Sequence, residues 1–205
     1  MPLAVALNKH QQKSEATRRK LLSSARRVFA KTGFEAARIE DIAADAGHTR
    51  GAFYANFESK ESLFLALLEQ QIYDHVGRLT ARLQACETDA QKRAELRKYY
   101  IERASDREWS MLMLEFKLFA VRHPKLRAKL ARAHREIRAS AKPPLSALLD
   151  SDLQSPCEEE THIPLEAVLS GLVLQHAYDP IVLSERQLMV TLGHIFDMLL
   201  PASRN

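Results

Sequence analysis

Apolar residues recur at spacings of three and four along almost the whole chain, and the points where that rhythm breaks divide it into helices. Leu21, Ala25, Val28 and Phe29 form the stripe of a first helix that opens at Ser14 and stops at Gly33. Ile39, Ile42, Ala43 and Ala46 mark a second, ending at Gly47, and Phe53 with Phe57 anchors a short third, about Arg50 to Phe57. Ser59 reads as the cap of a long helix to about Gln84, with Leu63, Phe64, Leu67, Leu68, Ile72, Val76, Leu79 and Leu83 on its apolar side. Helices over about Ala90 to Ala104 and Arg107 to Arg122 follow. Another runs from Pro124 to about Lys142, where Pro143-Pro144 break it. Ser151 to His162 reads as a loop, Pro164 opens the penultimate helix, and Ser184 with Gln187 is a capping box for the last, which Pro201 stops. With only 6 glycines and 8 prolines, and long runs of helix-forming residues, the fold class expected is all-α.

Gly33 to Lys60 organises the rest. A glycine after the second helix can adopt the left-handed cap, and Thr49, two residues on, can cap the third, so two helices meet across a tight turn. That is the pattern of a helix-turn-helix. The third helix is too short to stand alone and must be pinned by Phe53 and Phe57. Its other side carries Arg50, Gly51, Ala52, Tyr54 and Asn56, a set suited to a DNA major groove. Arginine can donate twice to guanine O6 and N7, glycine and alanine let the backbone come near, and tyrosine and asparagine can reach phosphate oxygens. Lys60 and Thr49 join the residues expected at phosphates. His48 reads as a partly buried packing residue.

At these residues the chain resembles the DNA-binding domain of the TetR family of bacterial transcription regulators. The matching pieces are RKLLSSARRVFAKTGF (Arg19 to Phe34), IEDIAADAG, and TRGAFYANFESKESLF (Thr49 to Phe64), about 50 residues in the family's order and spacing. The resemblance implies a three-helix DNA-binding domain at the amino end and, behind it, a helical bundle that binds a ligand and dimerises. Two positions depart from the pattern. Ala37 and Arg38 stand where a Ser or Thr usually opens the second helix, so Arg38 takes the place of a hydroxyl at a phosphate, and His48 stands where a small apolar residue is common.

Charge sharpens this division. Residues 1–60 hold 11 Lys/Arg and 6 Asp/Glu, a net +5, and residues 61–205 hold 19 against 20, a net −1. Cys86 and Cys157 have no metal-ligand spacing, and no apolar run approaches a membrane span, so the expectation is a reduced cytoplasmic setting with no cofactor, metal or membrane partner. The organisation expected is a flexible arm over 1–13, a helix-turn-helix domain over 14–60 extending into the helix at 59–84, and an effector-binding and dimerisation domain over 61–205.

The stripe of Trp109, Met113, Phe116 and Phe119 is first of all core, and could also line a ligand cavity with Tyr100, His123, His134 and His176 as polar anchors. Leu165, Leu169, Leu172, His176, Leu188, Leu192, Ile195 and Leu199 on the last two helices are the expected dimer interface, as a four-helix pairing. From Lys117 to Lys142 there are nine Lys/Arg and one acid, Glu136, which reads as a solvated face unless the ligand is acidic. No nucleophile motif, paired carboxylates or phosphate-binding glycine loop point to an enzyme. The function expected is a ligand-responsive, dimeric transcriptional repressor on a palindromic operator. Its rivals are an architectural DNA-binding protein without an effector and a small helical enzyme.

Overall fold

A computed structural model describes residues 8–141 and 158–200, and among them the chain forms nine helices. These are α1 (Lys9–Thr32), α2 (Ile39–Asp45), α3 (Arg50–Tyr54), α4 (Lys60–Gln84), α5 (Asp89–Arg103), α6 (Arg107–Arg122), α7 (Pro124–Ala141), α8 (Glu158–Tyr178) and α9 (Glu185–Leu199). The expected break at Pro143-Pro144, Cys157, and residues 1–7 of the arm lie outside the described residues.

Three boundaries differ from those read in the sequence. The first helix begins at Lys9 because Asn8 and Gln11 form a reciprocal capping box, so residues 9–13 are helical rather than a loose arm. Ser14, expected as the cap, instead donates to Asn56 Oδ1 at 3.4 Å. The penultimate helix starts at Glu158, which puts Pro164 inside it, and its sequence opens with Glu158, Glu159 and Glu160, a residue type that favours a helix N-terminus. The recognition helix is only five residues long, with Ala55 as its helical C-cap.

The chain divides into two compact units, residues 1–71 with 115–136, and residues 72–114 with 137–205. In the first unit, Leu21, Ala25 and Phe29 of α1, Ile42 and Ala43 of α2, Phe53 and Phe57, and Leu63, Phe64, Leu67 and Leu68 of α4 are buried together with Phe116. Ser24, also buried, donates to the Ile42 carbonyl at 2.7 Å, so its hydroxyl ties α1 to α2. The centre of this unit is Phe34. Its ring lies 5.0–5.4 Å from the rings of Phe29, Phe64, Phe116 and Phe119, and Phe64 stacks on Phe116 at 4.0 Å.

The backbone around Phe34 is held as firmly as its ring. Gly33 has φ 78° and ψ 165°, a region open in practice to glycine alone, and its N–H donates to Phe29 O at 2.8 Å. The Phe34 N–H donates to Glu115 Oε2 at 2.7 Å. Lys60 Nζ donates to the carbonyls of Glu35 and Ala37 at 2.8 and 3.0 Å and sits 5.0 Å from the Phe34 ring. Burial pushes the Lys60 ammonium below the ordinary lysine range.

In the second unit, Leu79, Leu83, Leu96, Leu165 and Phe196 form one buried cluster, and Ala104, Leu169, Val173, Leu188 and Leu192 another. This corrects the expected dimer interface. Leu165, Leu169, Leu188 and Leu192 are at most 5% exposed within the single chain, Leu172, Ile195 and Leu199 pack against the same clusters, and His176 Nδ1 is 2.8 Å from Leu183 O. The stripe identified in the sequence is the face that α8 and α9 turn to their own bundle. The exposed apolar residues of these helices and of the loop between them are Ile163, Leu174, Tyr178, Ile181, Val182, Val190 and Met198.

Half-buried Tyr99, Tyr100 and His75 lie together in this unit, with ring centroids 5.8 Å apart for the tyrosines and 6.0 Å for His75 and Tyr99. Burial pushes the Tyr100 phenol up to about 12. Burial first, then the charges of Arg103 and Arg78, lowers His75 from 6.5 to about 4, against the opposing pull of Asp106 and Asp74.

Two outcomes are expected. Gly33→Ala forces a Cβ into a glycine-only conformation 2.7 Å from Glu115 Oε2 and should destabilise the protein by about 1–3 kcal/mol, read as a lower urea midpoint. Because His75 is held neutral in the fold, the unfolded chain binds more protons below 6.5, so stability falls as pH drops from 6.5 toward 4. His75→Gln should flatten that part of the profile in urea titrations across the range.

Candidate nucleic-acid interface

The second and third helices are joined by a short turn closed by backbone hydrogen bonds. Gly47 has φ 72°, its N–H donates to Ala44 O at 2.9 Å, and the His48 N–H donates to Ala43 O at 2.8 Å. This pair of bonds is the Schellman closure, and it needs a residue free to take positive φ at Gly47. Thr49 is extended (φ −86°, ψ 162°), and its hydroxyl accepts from the Ala52 N–H at 3.2 Å. The cap therefore fixes where α3 starts. Phe53, 0% exposed, pins it, and Phe57 is 5% exposed with the Arg18 guanidinium 4.5 Å from its ring centre.

With Phe53 turned inward, Arg50, Gly51 and Tyr54 face outward, and Ala52 is partly covered. The Arg50 side chain is 62% exposed, forms an ion pair with Glu40 Oε1 at 3.0 Å, and donates to Tyr54 Oη at 3.4 Å with its guanidinium 5.5 Å from that ring. The Tyr54 hydrogen bond, then the Tyr54 and Glu40 charges, hold the Arg50 pKa above its ordinary value. Arg50 is therefore charged and partnered within its own unit. A guanidinium in this place can exchange a carboxylate for the O6 and N7 of a guanine, the bidentate geometry being the same.

The expected phosphate contacts divide into two sets. Arg38, the N-cap of α2, makes no side-chain cap bond, is 72% exposed, and lies 3.9 Å from Glu40 Oε2; Tyr54 is 47% exposed. Asn56 donates from Nδ2 to Ala52 O at 2.8 Å and accepts from Ser14, Lys60 is bound to the carbonyls of Glu35 and Ala37, and Thr49 is a cap. In this structure those three side chains hold the reading helix in place. His48, as expected, is partly buried, with Nε2 buried and without a hydrogen-bond partner among the described residues.

Two residues that matter here carry no local signal in the sequence. Glu40 governs Arg50 from ten positions earlier, across the turn, where no helical spacing links them. Glu115 reaches Phe34 from 81 positions away, and only a contact between distant segments could reveal it.

The candidate ligand residues are divided between the two units. Phe116, His123 and His134 belong to the first, where Phe116 is 3% exposed and His123 Nδ1 is 2.8 Å from Phe119 O. Tyr100, Trp109, Met113 and His176 belong to the second. An open groove of about 600 Å³ in the second unit is lined instead by Ile181, Ser184, Arg186, Gln187, Val190 and Thr191.

Known proteins share this arrangement. The family pattern of bacterial regulatory proteins, tetR family, matches residues 21–67, and that of the C-terminal part of BetI-type transcriptional repressors matches residues 89–201. The HTH-type transcriptional repressor AcnR of Corynebacterium diphtheriae is 42% identical over 53 residues, 26% of this chain and 28% of its own length. The HTH-type transcriptional regulator TtgR of Pseudomonas putida is 38% identical over 69 residues, 33% of each chain. The matched stretch thus spans a third or less of these relatives. Among solved structures, the fatty acid degradation regulator FadR from Bacillus halodurans superposes with a TM-score of 0.67 at 18% identity, over 92% of this chain and 96% of that one. Identity so low carries the fold alone.

Glu40→Gln removes both the partner that occupies Arg50 and a carboxylate close to any approaching phosphate. It is expected to tighten binding to duplex DNA of any sequence by a few-fold, the scale of an exposed ion pair, in a fluorescence-anisotropy titration.

Proposed function

The chain belongs to the TetR family of bacterial regulatory proteins, and from that premise we propose that it is a sequence-specific, DNA-binding transcriptional repressor that works as a homodimer and responds to a small molecule. The observation that carries the reading is the presentation of α3, with Thr49 capping it, Phe53 buried beneath it, and Arg50 and Tyr54 outside. Arg50 and the low surface of Gly51 and Ala52 read base edges, while Tyr54 and Arg38 fix register on phosphates. A two-fold dimer sets two such helices about 34–36 Å or a multiple apart, so the operator is a near-palindrome.

We assign DNA binding to the first unit, and effector binding and dimerisation to the second. The exposed apolar residues of α8, α9 and the loop between them, Leu174, Tyr178, Ile181, Val190 and Met198 among them, supply a surface for a second copy, in place of the buried stripe first expected. Three helices are divided between the two units, α4 after Gln71, α6 after Leu114 and α7 after Glu136. A rearrangement of the second unit can thus reach the reading head along these helices and change the separation of the two α3 copies. A coupling of roughly 1–3 kcal/mol would change DNA affinity about 5- to 150-fold. The setting that suits such a regulator is the cytoplasm.

Selection of binding sites from random DNA with the purified chain should recover inverted repeats. Tyr54→Phe is expected to weaken binding on every duplex alike, whereas Arg50→Ala should also relax preference at one base pair per half-site. Equal losses for Arg50→Ala on selected and random duplexes would remove its assigned role. Compounds that raise the melting temperature should also lower operator affinity, and a saturating ligand that leaves affinity unchanged counts against the linkage.

A further inference from the structure

The first unit is far more basic than its amino-terminal part alone. Residues 1–71 and 115–136 together hold 18 Lys/Arg and 10 Asp/Glu, a net +8, while the second unit holds 12 against 16, a net −4. Seven of the 18 come from residues 115–136, whose acids are Glu115 and Glu136. Glu115 accepts from Phe34 N–H, and Glu136 pairs with Arg132 at 2.7 Å. Folding has therefore added a basic helix, distant in sequence, to the unit that carries the recognition helix.

The helix α7 is sided. At 100° per residue, Lys125, Lys129 and Arg132 fall on one line at i, i+4 and i+7, while Leu130, 3% exposed, falls on another side. Lys125, Arg127, Lys129, Arg132 and Arg135 are all exposed. Among the described residues, Lys125, Arg127, Lys129 and Arg135 form no ion pair. Like charges four apart on a helix repel, and a polyanion laid along the face removes that repulsion. The helix that precedes α7 ends near the turn before the helix-turn-helix: Arg122 Nη1 of α6 is 3.9 Å from the Glu35 carboxylate, three residues before exposed Arg38.

We propose that the Lys125, Lys129, Arg132 face of α7 is a second phosphate-binding surface, which holds the backbone of duplex DNA flanking the bases that α3 reads. The inference rests on the DNA-binding reading above. An anionic membrane is the weaker match for the same charges. A helix lying in a membrane interface needs a broad apolar face, and α7 has turned Leu130 into its own core and leaves Leu126 only 36% exposed. Charges here hold without reading sequence, so the surface lengthens the footprint and steepens its salt dependence.

The test compares the full chain with its K125Q/K129Q/R132Q variant on two duplexes of the selected operator, one trimmed to the bases under the two recognition helices and one with long flanks. On the flanked duplex the variant should bind more weakly, and the slope of log affinity against log salt should be shallower by roughly 0.9 for each phosphate that the variant leaves unneutralised. On the trimmed duplex the two proteins should coincide. Equal slopes and affinities on both duplexes would overturn the proposal, as would an equal loss on both. Loss of binding to phosphatidylserine vesicles with an unchanged DNA slope would hand the face to a membrane and also overturn it. All three side chains are exposed, so melting temperatures should match; should the triple variant not fold, K129Q alone carries the same comparison with a smaller change in slope. A wild-type chain that ignores DNA sinks both readings, whereas one that binds and depends on Tyr54, with α7 inert, sinks only this one.

Discussion

The turn between α1 and α2 is the constraint on which the reading head depends. Around Phe34 the ring is packed by four other phenylalanines, its N–H is held by Glu115, and the carbonyls of Glu35 and Ala37 are held by Lys60. Gly33 makes the geometry possible by occupying a conformation that a side chain would strain. Because α2 follows this turn directly, and α3 follows α2 through a short joint closed by backbone bonds, a rigid turn makes a rigid presentation. The short α3 would not persist in water without that support.

The same constraint explains why the first unit reaches across the sequence. The aromatic cluster is completed by Phe116 and Phe119 of α6, and α7 follows that helix with one residue between. Hydrophobic closure of a small helical head thus brings charge with it. Three helices, α4, α6 and α7, are each divided between the two units, so helices instead of loops cross the boundary between the part that would read DNA and the part that would sense a ligand.

Much of this is legible in residue order. Apolar periods of three and four mark the helices, Gly47 and Thr49 locate the turn to the residue, and Ser184 with Gln187 forms the capping box that their spacing implies. What stays hidden is whatever depends on partners far apart. A stripe such as Leu165, Leu169, Leu188 and Leu192 shows which side of a helix is apolar, but the pattern is identical whether that side meets its own bundle or another copy. Lys60 looks like an outward-reaching polar residue because nothing local reveals that the Glu35 and Ala37 carbonyls await it. Asn8 and Gln11 have the spacing of a capping box, but the apolar stripe of α1 starts well after them, so Ser14 is the cap that the stripe suggests.

The ion pair of Arg50 with Glu40 gives the protein an idle state. While the arginine rests against its own carboxylate, the reading surface is locally neutral, and the chain can hop or slide along DNA on its phosphate contacts alone. In the proposed reading a guanine edge compensates Arg50 for leaving Glu40, whereas on other sequences the arginine keeps that partner. Search and recognition would then be two conformations of one side chain.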